Sequence, residues 1–104
     1  MPPRLRFFFS AGVVGTALWP DDTDSPYGYP CELERLPISR TLREALVGLS
    51  ERYQTSIDWD YPPGPTPWSR RQQDEFTRQA DAALRTLRRE LGGEWTVVDQ
   101  RHTL

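Results

Sequence analysis

Hydrophobic positions change period several times along the chain, and each change marks an element. Leu5, Phe7 and Phe9 alternate with Arg4, Arg6 and Phe8, the period of two expected of a strand with one buried face. Gly12 and Gly15 then turn or bulge the chain. From Leu18-Trp19-Pro20 a connection with neither period runs to Pro37, first Asp-rich and then rich in Tyr and Pro. A connection that long inside a small domain is usually functional or disordered. Its aromatics (Trp19, Tyr27, Tyr29) favour a loop packed on the body, with room for a short strand over residues 31–36.

The period lengthens to that of a helix after Ser39, a predicted N-cap. Leu42, Ala45, Leu46, Leu49 and Tyr53 share one stripe, while Arg40 and Glu44 pair on the other side. This helix is expected to end near Tyr53 or Gln54. Residues 56–61 alternate again, with Ile57, Trp59 and Tyr61 on one face and Asp58 and Asp60 on the other, which predicts a short strand stopped by Pro62-Pro63. The Pro-rich run over 62–67 reads as a stiff connector. Ser69 and Gln72 then form a capping box ahead of a helix over 70–91, whose stripe is Phe76, Ala80, Ala83, Leu84, Leu87 and Leu91. Asp74–Arg78 and Asp81–Arg85 have the spacing of ion pairs, Arg88 and Arg89 suit the negative helix end, and Gly92-Gly93 stops it. A last strand is predicted over 95–98, with a frayed tail over 101–104.

The predicted order is β-loop-α-β-α-β in one domain over 1–104, with an irregular loop over about 15–37. One apolar stripe per helix places both helices on one face of a sheet of about three strands. The fold class is α+β, a two-layer sandwich.

Composition narrows the function classes. The chain has 104 residues, one Cys, and four each of Trp, Tyr and Phe, enough aromatic surface for one ordered core. No apolar run reaches the ~18 residues of a spanning helix. Arg4 and Arg6 followed by the apolar stretch 7–18 have the outline of an export signal. Ser10, Gly12, Gly15 and Thr16 interrupt it, so the strand reading prevails and a cytoplasmic protein is expected. All 13 basic residues are Arg, against 15 acids, for a net charge of −2. That balance disfavours nucleic acid as a partner, even beside the Arg-rich second helix. Between Phe7 and Glu34 there is no basic residue, and Asp21, Asp22, Asp24, Glu32 and Glu34 give that stretch −5.

Conventional catalytic sets are missing from the sequence. The single His, His102, falls in the expected tail, where a general base is not held in place. Cys31 lies between Pro30 and Glu32, with no neighbour to lower its pKa. No nucleophile elbow, P-loop or zinc-protease motif occurs. On a strand, Asp58 and Asp60 would lie ~6.6 Å apart. Together with Asp21, Asp22 and Asp24 they could hold a hard cation. A small metal-dependent hydrolase or metal-regulated module is therefore the alternative reading. A homodimer that buries the aromatic loop against its own copy is another.

The same residues make a better recognition patch. Trp19, Tyr27 and Tyr29 would serve as anchors, and Asp21, Asp22, Asp24, Asp58 and Asp60 would face the Arg or Lys of a basic protein partner. No cofactor is implied.

Several short motifs carry a resemblance over nearly the full length: Leu18-Trp19-Pro20-Asp21-Asp22, Gly28-Tyr29-Pro30, Leu36-Pro37-Ile38-Ser39, Ile57-Asp58-Trp59, Pro67-Trp68-Ser69 and Leu87-Arg88-Arg89-Glu90-Leu91-Gly92. They resemble a set of small, uncharacterised single-domain proteins of GC-rich bacteria, for which no activity transfers. In size and charge the chain is similar to the small acidic immunity proteins of bacterial toxin systems. That analogy implies a non-enzymatic, antitoxin-like inhibitor that acts by binding.

Overall fold

A computed structural model describes residues 3–101; of the expected tail over 101–104, residues 102–104, His102 among them, lie outside the described residues. Strand β1 (Arg4–Phe7) occupies the middle of a three-stranded sheet of order β2-β1-β3. It pairs antiparallel with β2 (Leu18–Pro20) and parallel with β3 (Thr96–Asp99). The alternation read from the sequence sets the two faces. Leu5 and Phe7 are sealed on the inner face with Leu18 and Val97, while Arg4, Arg6, Trp19 and Val98 keep some exposure on the outer one.

Helix α1 (Arg40–Gln54) starts at Ser39, whose hydroxyl accepts from the N–H of Leu42. Helix α2 (Arg70–Leu91) opens on the expected capping box of Ser69 and Gln72 and closes at Gly92, where φ is +83°. The helices run antiparallel. Glu90, near the end of α2, accepts from the N–H and hydroxyl of Ser39 at 2.6 and 3.0 Å, and Arg52 near the end of α1 donates to Gln79. Their apolar stripes join the inner sheet face in one core, so both helices lie on one side of the sheet. The α+β fold class holds.

Several details differ from expectation. Leu18–Pro20 is a strand where the sequence suggested only the start of a connection. Three residues carry too little periodicity to be read, and pairing with β1 makes the strand. Residues 31–36 hold no strand. Leu33–Arg35 forms one turn of 3-10 helix, with Cys31, Leu33 and Leu36 buried, and Cys31 N–H donating to Leu18 O at 2.9 Å. This pins the long connection to the body.

Residues 56–61 are not a strand either. They form successive turns after α1, because Asp58 Oδ1 accepts from the N–H groups of Asp60 and Tyr61 and competes with any ladder. The last strand begins one residue later than predicted.

On α2, the pairing of Asp74 is with Arg70 instead of Arg78, and that of Asp81 is with Arg101 instead of Arg85. Arg101 also pairs with Asp99 at 2.8 Å and lies 5.3 Å from the centre of the Phe7 ring. Arg88 donates to Val97 O at 2.7 Å, which ties the end of α2 to β3.

Candidate partner-binding site

The expected acidic and aromatic residues do not form one surface. Asp21 meets Arg4 and Arg6 at the start of β1, whereas Asp58 and Asp60 follow the end of α1. There Gln54 bonds to Ser10, Gly12 and Val13, beyond the other end of β1. Arg4 and Ser10 are six steps apart along the chain, which puts the groups up to about 20 Å from one another.

The first group sits on the outer sheet face. The period-two pattern of β1 and its register with β2 place Arg6 opposite Trp19. The Trp19 ring stacks on Phe8 at 5.0 Å and 8°, and meets Tyr29 edge-on at 5.7 Å. Arg6 donates from Nη2 to Pro20 O at 3.0 Å and to the Tyr29 hydroxyl at 3.2 Å, and its guanidinium lies 5.7 Å from the Phe8 centroid. Asp21 is held between Arg4 (3.1 Å) and Arg6 (3.4 Å), the latter contact being an ion pair without an aligned hydrogen bond. The indole N–H of Trp19 is shut away from solvent without an acceptor among the described residues. A donor in that state costs about 1–3 kcal/mol.

The rest of this loop divides by role. Asp22 accepts from the N–H of Asp24 at 2.9 Å, and both are exposed. Tyr27 is partly buried against the core and lies 5.2 Å from Trp95, which fastens the loop to the body.

The second group is a bare turn. Trp59 and Tyr61 are 55% and 62% exposed, flanked by Asp58 and Asp60. Trp68, another aromatic of this region, is instead in the core against Phe76, with its indole donating to Thr55 Oγ1 at 2.9 Å. Sequence reasoning missed Gln54. Nothing in an amphipathic stripe marks the last residue of a helix as a junction between loops, and only its place after Tyr53 hinted at a terminus.

Among the described residues no three of His, Cys, Asp and Glu stand where they could hold a metal ion, so the acids of the two loops make no joint cation site. Burial, reinforced by Glu32 and Glu34, pushes the Cys31 thiol up to about 12, which keeps it protonated and unreactive. A groove of about 610 Å³ runs between α1 and α2 over a floor that includes Leu42, Ala45, Gly48 and Ala83. Its two carboxylates are engaged, Glu44 with Arg40 and Glu90 with Ser39. No helix among the described residues is long and apolar enough to cross a membrane.

Large exposed rings beside carboxylates are the kind of surface that recognises another protein. Comparison with known proteins agrees. No curated protein matches the sequence. Residues 9–100, however, match the family described as Serratia CdiI immunity protein-like, and the chain belongs to that family.

Proposed function

We propose that the protein is an immunity protein: a non-enzymatic inhibitor that neutralises a basic protein toxin by binding it, in the cytoplasm. The family match over residues 9–100 carries this reading. The geometry supports it by leaving the outer sheet face without helical cover, with Tyr29 43% exposed beside Trp19. Trp19 and Tyr29 act as anchors there, and Asp21, Asp22 and Asp24 form an acidic rim. Asp58 and Asp60 present a second acidic edge to the same partner or to another part of it. Carboxylates at a rim act mainly on encounter, so raised salt lowers affinity chiefly through the association rate.

The experiment is affinity capture with the tagged protein from its native cell lysate, with elution in steps of rising salt. Titration of the eluted protein's toxic activity against the inhibitor follows. One basic protein, released by salt and neutralised fully at one equivalent, is the expected result. Neutralisation by far less than one equivalent would mean turnover, and an enzyme in place of an inhibitor. A captured protein whose toxicity persists at excess inhibitor would overturn the reading altogether.

A further inference from the structure

The end of the molecule beyond β1 is assembled around one side chain. Gln54 Oε1 accepts from the N–H of Gly12 at 2.7 Å, and Nε2 lies 3.1 Å from the carbonyl oxygens of Ser10, Val13 and Ser50. The backbone carbonyl of Gln54 accepts from the indole of Trp59 at 2.9 Å. Loop 10–15 and the turn over 58–61 therefore hang from the same helix end. They bring with them Val14, Trp59 and Tyr61, which are 58%, 55% and 62% exposed.

These side chains are exposed but held. Asp58 Oδ1 accepts from the N–H groups of Asp60 and Tyr61 at 3.0 and 3.3 Å, and the Tyr61 N–H also reaches Asp58 O at 3.0 Å. A second turn follows, with Gly64 N–H donating to Tyr61 O at 2.8 Å. A Cβ at Gly64 would stand 2.8 Å from the Tyr61 ring, so glycine is what lets the ring lie against the backbone there. Pro62, Pro63, Pro65 and Pro67 stiffen the same stretch. Aromatic surface left in water adds nothing to the core, whereas fixing it in advance lowers the entropy lost on binding.

Charge and ring chemistry together specify the occupant. Between Arg52 and Arg70 the chain has no basic residue, and Asp58 and Asp60 give that stretch −2. Elsewhere the protein places guanidinium groups over aromatic rings, Arg6 over Phe8 and Arg101 over Phe7. Among the described residues no cation covers Trp59 or Tyr61. We propose that this end docks an arginine or lysine side chain displayed by a protein partner. The cation rests against the faces of Trp59 and Tyr61, beside the carboxylates of Asp58 and Asp60, and its stem lies toward Val14. The proposal rests on the inhibitor reading and moves its principal anchor away from the loop that holds Trp19.

The test uses the full chain labelled with nitrogen-15 and titrated at low salt with tetra-arginine, with tetra-glutamate as control. The four Trp indoles report on four places, and a Trp59→Phe variant assigns the one that matters. The indole of Trp59 and the amides of Val14 and residues 58–64 are expected to shift saturably with tetra-arginine alone. Asp60→Asn should weaken that binding about two- to fivefold. Equal shifts at all four indoles, or no saturable shift at Trp59, overturns the proposal. The two readings fail separately. A Trp59→Ala variant that loses the peptide yet neutralises the toxin in full removes this anchor and leaves the inhibitor standing. Saturable peptide binding by a chain that neutralises no toxin keeps the cation site and rejects the inhibitor.

Discussion

Two regions carry the same mixture of aromatic and acidic residues, and their neighbours give them opposite character. Around Trp19, Asp21 is answered by Arg4 and Arg6 and the Trp19 ring by Phe8 and Tyr29, while Asp22, Asp24 and part of Tyr29 stay exposed. Around Trp59 neither a cation nor a stacked ring partner is seen among the described residues. The difference follows from position in the sheet. The residues of β2 face the basic and aromatic side chains of β1 in register. The turn over 58–61 protrudes past the end of α1, with solvent in place of a facing strand. Local composition describes both regions equally well, and tertiary placement decides how much of each is already paired within the chain.

The sharpest way to break the comparison is to truncate one ring in each region. Trp19→Ala removes a half-buried ring that spans Phe8 and Tyr29 on the sheet. It should cost about 2–3 kcal/mol, discounted from the larger losses of fully buried rings. At ~4–8 °C per kcal/mol, the melting temperature falls by roughly 10 °C or more. Trp59→Ala removes an exposed ring whose main bond is to a helix-end carbonyl that water can reach, and should cost less than about 1 kcal/mol. Its cost appears in toxin affinity instead, with a loss of at least about tenfold if the ring is an anchor. Calorimetric melting and a binding titration on both variants decide the matter. Equal melting losses would erase the distinction between the regions.

A smaller effect comes from the far edge of the sheet. Arg101 pairs with Asp81 and Asp99 and covers Phe7, so Arg101→Gln should cost about 1–2 kcal/mol at neutral pH. The hydrogen bond from Arg101 holds the Asp99 carboxyl below its ordinary 3.8. A lowered carboxyl pKa adds stability that is fully present above that ordinary value and is lost as pH falls through the folded one. The melting-temperature gap between wild type and variant should therefore narrow below about pH 4. A gap that stays constant to pH 2 would show that packing on Phe7, and not the ion pair, carries the effect.

How much of this was legible follows from what each signal measures. The two helices were readable with their caps, because Ser39, Ser69, Gln72 and Gly92 act on backbone groups within a few residues. The inner face of β1 was readable from Leu5 and Phe7, whose burial is a matter of period. Strand β2 was not, since three residues have no period and its pairing partner lies 13 residues away, Arg6 opposite Trp19. The alternation over 56–61 misled for a related reason: Asp58 satisfies nearby N–H groups locally, and a period of two says nothing about whether a neighbouring strand exists. The candidate site was legible as a set of residue types. Its division into two ends was not, because the register of β1 with β2 and the reach of Gln54 are long-range facts.

Asp21→Asn tests the answered region with a gentler change. Both of its ion pairs are partly exposed, so the loss should be about 0.5–1 kcal/mol at low salt, shrinking as ionic strength rises. Chemical denaturation at two salt concentrations measures it.

The smallest effect on stability belongs to the open turn. Asp58→Asn combined with Asp60→Asn keeps a side-chain oxygen at position 58 to accept the turn's N–H groups and removes two charges that no cation among the described residues answers. The melting temperature should hardly move. If these charges steer a basic partner, the association rate should fall several-fold at low salt, while dissociation changes less. Raising the salt should make wild type and variant converge, because the Debye length contracts to ≈ 8 Å near physiological ionic strength and the advantage of the wild type is screened away. Stopped-flow association at three salt concentrations resolves this. An unchanged rate at low salt would mean that the rings of the turn act without their acids, and that the two regions differ in exposed aromatic surface alone.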